Sequence, residues 1–391
     1  MKFRTFLIAL ILSLPFVLSA GLSKEEARNY QESLWEKHNV TIRKERAAEM
    51  KKKVIRIGDH SMRFESKRYG KKPKDGWNLY ISMHGGGGAP AKVNDSQWKN
   101  QVRLGDAYKP RNAIYVAPRA PTNTWNLWHQ AHIDPLFDRL IENLVVLEDV
   151  NPNAVYIIGY SAGGDGVYQL APRMADRFAG ACMMAGHPNE TSPLGLRNLP
   201  FAIHVGAKDH GYKRNTVAAE WGKKLQKLHS LDKGGYKNQV QIHPNKGHWM
   251  NLQDRVAIPW LQKFVREPFP QKVVWKQDNV VHDTFYWLAL PQGTAKKGQL
   301  VIASIEGQTI SIEKAEGTDQ LLLRLNDQLL DLDQPVRVKG LDGSTLFQGK
   351  VNRTKGIAKQ TFEARRDRDL VFFAEIKVDL KAKTATESAE E

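Results

Sequence analysis

One serine stands between two glycines in "GYSAGG", where Gly159, Tyr160, Ser161, Ala162 and Gly163 spell G-x-S-x-G. A serine hydroxyl attacks a carbonyl only if a base removes its proton and an acid orients that base, so the motif sets a search downstream. "HPNKGHWM" offers His248 after an apolar run, with His243 as the rival base inside that run. "HVGAKDHGY" offers Asp209 at the end of the preceding run, whereas Asp165 lies close to the serine and Asp254 falls in a later helical pattern. The order Ser161, Asp209, His248 is a workable order for acyl-transfer chemistry.

Acyl transfer also needs donors for the developing oxyanion, and "HGGGG", His84 to Gly88, supplies backbone that can approach a substrate closely. The N–H groups of Gly85 or Gly86, with that of Ala162, are the expected donors. "NTWNLWHQAHID" brings Trp125, Trp128, His129 and His132 into one long loop. These residues, with His187 and Trp249, either line a substrate pocket or pack their loops. Twelve histidines invite a metal reading, but the chain has no H-E-x-x-H pair and no Cys-His cluster, so no metal site is expected.

The elements that would position these groups alternate. "WNLYISM", "NAIYVAP", "NAVYIIGY", "FAGACMMAG", "FAIHVGA" and "QVQIHP" read as strands. "IDPLFDRLIENLVVLEDV", Ala162 to about Arg177 with a break at Pro172, "NTVAAEWGKKLQKLHS" and "LQDRVAIPWLQKFVR" read as helices. Nearly continuous apolar strands between helices predict an α/β fold with a mostly parallel sheet covered on both faces, over residues 54–270. Such a strand before Ser161 and a helix after it is the setting of a nucleophile elbow.

Around this lie other segments. Residues 21–53 predict one or two surface helices. After "REPFPQK" helical spacing disappears and short β-rich runs divided by Gly, Asp and Asn predict a smaller antiparallel β domain over 271–380, followed by a disordered tail at 381–391. Trp275, Phe285, Tyr286 and Trp287 there serve either as core or as a platform for a polymer.

Residues 1–20 carry Lys2 and Arg4, then "FLIALILSLPFVL", then small residues near Ser19 to Gly21. This is the pattern of a cleaved signal peptide, too short to span a bilayer, and implies a secreted or periplasmic protein without stable membrane insertion. Cys182 is the only cysteine, which excludes an internal disulfide. The net charge of +16 is scattered, and no nucleic-acid motif accompanies it, so no nucleic-acid partner is expected.

With these residues in place, the chain resembles the secreted α/β-hydrolases of the esterase type, similar to the feruloyl-esterase and polyhydroxyalkanoate-depolymerase-like group. The resemblance covers 54–268 and rests on "HGGGG", "GYSAGG", "GAKD" and "KGHW". It implies hydrolysis of a carboxylic ester through an acyl-enzyme, with no metal or organic cofactor. Only residues 187–200 separate two strands where such hydrolases often insert a helical lid, so an open cleft for a bulky, aromatic or polymer-linked ester is expected. A peptidase of the same fold and a non-catalytic, polysaccharide-binding protein are the alternatives.

Overall fold

Ser23 starts the first helix: its hydroxyl accepts the Glu26 N–H and the Glu26 carboxylate accepts the Ser23 N–H, a reciprocal capping box. In the computed structural model, which describes residues 21–381, this single helix α1 runs Lys24–Lys52. The segment expected as a signal peptide, and the expected tail apart from Lys381, lie outside the described residues.

The chain continues through β1 (Val54–Ile57), β2 (His60–Tyr69), β3 (Trp77–Met83), α2 (Ala91–Tyr108), β4 (Ala113–Pro118), α3 (Ile133–Glu148) and β5 (Val150–Tyr160). After these come α4 (Ala162–Arg173), β6 (Gly180–Met184), β7 (Phe201–Gly206), α5 (Arg214–Leu231), β8 (Asn238–His243) and α6 (Ala257–Leu261). The eight strands form one sheet in the order β1-β2-β4-β3-β5-β6-β7-β8. β1, β2 and β4 pair antiparallel and every neighbour from β4 to β8 is parallel.

The apolar strands are explained by cover on both faces. Along β3 and β5, Leu79, Ile81, Val155 and Ile157 join the core with α3, α4 and α5, while Tyr80, Tyr156 and Ile158 join a second core with α2 and α6. Period-two alternation therefore separates two buried faces rather than a buried one from a wet one. The parallel arrangement brings the C-terminal ends of β3, β5, β7 and β8 to one edge, the edge where open α/β sheets bind ligands.

In this part of the chain two helices differ from expectation. α2 stands where no helix was read: its sequence is polar and its N-cap is Pro90, which supplies no side-chain cap. The helix expected over 252–266 contracts to a 3-10 turn at Gln253–Val256 and the five-residue α6, because Pro259 interrupts the ladder of backbone donors.

The C-terminal region holds β9 (Lys272–Lys276), β10 (Thr284–Phe285), β11 (Leu288–Ala289), β12 (Leu300–Glu306), β13 (Thr309–Glu316) and β14 (Gln320–Leu325). It ends with β15 (Val336–Lys339), β16 (Thr345–Gly349), α7 (Lys355–Arg365) and β17 (Ala374–Asp379). They make a four-stranded sheet, β10-β11-β14-β17, and a five-stranded sheet, β16-β15-β13-β12-β9. The region is not purely antiparallel: β13 and β15 pair parallel, and α7, capped by Thr354, packs on α1.

One hydrophobic cluster runs without interruption from the large sheet into the C-terminal sheets, and Trp275, Phe285, Tyr286 and Trp287 all lie within it. Those aromatics are core, not an exposed platform. Charged groups seal the same junction. Asp367 accepts from Arg266 at 2.5 Å and from Arg177 at 3.3 Å, and Asp176 accepts from Arg365 at 2.5 Å and from the Tyr286 N–H at 3.2 Å.

Candidate active site

Ser161 sits between the last residue of β5 and the first of α4 with φ 57° and ψ −122°, a conformation that costs a non-glycine residue about 1–3 kcal/mol. Its neighbours permit the turn. A Cβ on Gly163 would stand 2.0 Å from the Met83 carbonyl oxygen, and one on Gly159 would stand 2.1 Å from that of Gly163. The two glycines of the motif are therefore required by close backbone approach, and the strained serine is held on a tight strand-to-helix corner.

Three strand ends deliver one hydrogen-bonded chain. His248, in the loop after β8, has Nε2 at 3.0 Å from Ser161 Oγ, and its Nδ1 lies 2.8 Å from Asp209 Oδ2, beyond β7. With Asp209 as acceptor, Nδ1 carries a proton and Nε2 is free to accept from the serine. Asp209 is 3% exposed whereas the His248 side chain is 44% exposed, so the acid is shielded while the base faces the cleft.

The rival residues are placed elsewhere. His243 is buried against His204, with Nε2 3.0 Å from its Nδ1. Asp254 accepts the Tyr108 hydroxyl at 2.5 Å, and Asp165 Oδ1 accepts the His187 N–H at 2.6 Å. Burial raises the Asp165 carboxyl to about 6.

The glycine run lies against the serine: a Cβ on Gly85 would be 3.1 Å from the Ser161 Cβ. Among the described residues, no hydrogen bond within the protein engages the N–H of Gly85, Gly86 or Ala162. Side chains that sequence reading overlooked clamp this loop. Asn94, from α2, accepts the Gly87 N–H and donates to the carbonyls of Gly87 and Ala89, each at 3.0 Å. His84 donates from Nδ1 to the Gly85 carbonyl at 2.5 Å and accepts the Ala120 N–H at Nε2, 3.1 Å away. Burial pushes this imidazole down to about 4, which keeps it neutral and able to do both.

Trp128 corrects the expected pocket wall. It is fully buried, and its Nε1 donates to the His84 carbonyl at 2.9 Å, so it supports the glycine loop from beneath. His132 stacks on His60 instead of facing the serine. Trp125, His187 and Trp249 do reach the cleft, in two cavities that meet at the glycine loop. One, of about 620 Å³, is walled by Tyr160, Ser161, His248, Trp249 and the α2 residues Val93 and Leu104. The other, of about 240 Å³, is walled by Gly86, Trp125, Ala162, His187 and Arg214. Finding α2 in the sequence would have supplied Asn94 and that wall; its apolar residues, Val93, Trp98, Val102 and Leu104, are the only signal.

No known protein family and no curated protein matches this chain. Among solved structures, a thermostable esterase aligns with 55% of the chain and 62% of its own at 17% identity, with a TM-score of 0.42. That alignment spans less than two thirds of the esterase. The LpqC poly(3-hydroxybutyrate) depolymerase from Bordetella parapertussis aligns with 54% of the chain and 86% of its own at 18% identity and a TM-score of 0.39. A Bacillus cereus carboxylesterase aligns with 57% of the chain and 98% of its own at 13% identity and a TM-score of 0.39. Strand order and elbow carry the fold: a mostly parallel eight-stranded sheet in the order β1-β2-β4-β3-β5-β6-β7-β8, with helices on both faces and a serine on the corner between β5 and α4, is the arrangement of the α/β-hydrolase fold.

Proposed function

We propose that this chain is a serine carboxylic-ester hydrolase that works through an acyl-enzyme. The observation that carries this is the chain from Ser161 Oγ through His248 to buried Asp209, with contacts of 3.0 Å and 2.8 Å. Ser161 attacks the ester carbonyl while His248 Nε2 takes its proton, and Asp209 holds the imidazole and stabilises its cationic form. The N–H groups of Gly85 or Gly86 and of Ala162 then receive the oxyanion, each donor lowering the barrier by about 3 kcal/mol. His248 returns the proton to the leaving alcohol, and a water molecule activated the same way releases the acid.

The larger cavity and the short β6–β7 connection favour a bulky, aromatic or polymer-linked ester. That connection holds only a 3-10 turn at Pro193–Leu196. The N-terminal segment supports secretion or a periplasmic site. Among the described residues, no helix is long and apolar enough to cross a membrane.

Purified protein assayed on p-nitrophenyl butyrate, methyl cinnamate and a peptide anilide tests the reading. Hydrolysis of the esters, abolished by Ser161→Ala, is the expected result. Cleavage of the anilide alone would assign a peptidase, and turnover of nothing would leave a binding protein.

A further inference from the structure

Both cavities carry an arginine, Arg103 on the larger and Arg214 on the smaller, and Arg214 has a donor that the protein does not use. Arg214, the first residue of α5, is a wall of this cavity. Its Nη1 lies 3.3 Å from the Gly211 carbonyl and 3.7 Å from Asp209 Oδ1, but its Nε is buried with no hydrogen-bond partner. The Nε–Nη2 edge of a guanidinium is a planar fork matched to a carboxylate, and burying an arginine nitrogen without an acceptor is costly. Its guanidinium carbon lies over the Tyr212 ring at 4.8 Å, a cation–π contact beside the cavity.

A second donor stands in the same cavity. His187 accepts the Asn189 N–H at Nδ1, 2.9 Å away, so its proton sits on Nε2, which makes no hydrogen bond within the described residues. Asp165 is the opposing charge on this wall, but its Oδ1 is taken by the His187 N–H.

The position of the base decides which part of an ester enters here. His248 must hand a proton to the leaving oxygen, and it walls the large cavity and not the small one. The alcohol therefore leaves on the large, more apolar side, and the acyl group extends past Gly86 and Ala162 toward Arg214. Resting on the esterase reading, we infer that the preferred acyl group is short and ends in a carboxylate, as in a half-ester of a dicarboxylic acid, with Arg214 and His187 as its specificity determinants.

The test compares monoethyl succinate with ethyl pentanoate, of similar length but uncharged, using wild type and Arg214→Gln. Wild type is expected to favour the succinate half-ester in kcat/KM, and Arg214→Gln to reduce that ratio roughly 10- to 100-fold, the range of one charge-assisted contact. Because Arg214 also approaches Asp209, its loss through the triad would lower both substrates together and leave the ratio unchanged, which would overturn the inference. A preference for butyryloxyacetate, whose carboxylate is on the alcohol, would overturn it too. Hydrolysis of neither ester, with no fluorophosphonate labelling of Ser161, would instead sink the esterase reading beneath it. Retention of the preference in Arg214→Lys and its loss in Arg214→Gln would further separate recognition of charge from packing.

Discussion

Tyr160, the residue before the nucleophile, donates its hydroxyl to the main-chain carbonyl of His248 at 2.7 Å and accepts the Met250 N–H at 2.9 Å. The strand that presents the serine thus also grips the loop that presents the base. Tyr160→Phe leaves that carbonyl and N–H without their partner, at about 1–3 kcal/mol. We expect kcat on a p-nitrophenyl ester to fall roughly tenfold while circular dichroism stays native. An unchanged kcat would show that the loop is held by other contacts.

Asn94, on α2, binds the glycine loop at three backbone groups. Asn94→Ala should misplace the oxyanion donors by a fraction of an ångström to an ångström and lower kcat roughly 10- to 100-fold. KM should change much less, because the defect is felt in the transition state. Steady-state kinetics separates the two parameters.

Acid should unfold this protein through buried histidines. Burial pushes His84 and His129 down to about 4 and His204 to about 3, from an ordinary value of 6.5. Below about pH 6.5 the unfolded chain therefore binds protons that the folded chain refuses, so stability is full above that pH and declines toward pH 4, by about 1.4 kcal/mol per pH unit per histidine. Asp165 acts in the opposite sense, since its raised carboxyl, at about 6, binds a proton in the folded state first. Urea unfolding at pH 7, 6 and 5 should show a net loss of a few kcal/mol, steeper in Asp165→Asn, where the opposing contribution is gone.

Asp367 sits between Arg266 and Arg177 at the junction with the C-terminal sheets. Asp367→Ala strands two buried cations and should cost about 3–5 kcal/mol, read as a lowered unfolding midpoint with activity retained below it. Deleting 272–391 should yield insoluble protein, since it opens the shared hydrophobic core. Soluble, active truncated protein would show that the C-terminal sheets are dispensable cover.

What could be read in the sequence follows from how local each cause is. The apolar strands, the elbow around Ser161 and the order of Asp209 and His248 are recorded in short runs of residues and in which strand each one ends. Trp128 illustrates the limit: its loop location was legible, but its direction depends on Gly166 and His84 packing around it. α2 and α7 are hidden because both are polar: α2 turns its few apolar residues onto the neighbouring strands β3 and β4, and α7 packs on α1 from the other end of the chain. Arg214 looked like one basic residue among many, and only the unused donor and the cavity distinguish it.

The central claim is that Ser161 is the nucleophile, and covalent labelling tests it without knowledge of the substrate. Incubation with a fluorophosphonate followed by peptide mass spectrometry should give one adduct, on Ser161, that is absent in Ser161→Ala and slowed by orders of magnitude in His248→Ala. Labelling of another residue, or equal labelling of wild type and Ser161→Ala, would contradict the account.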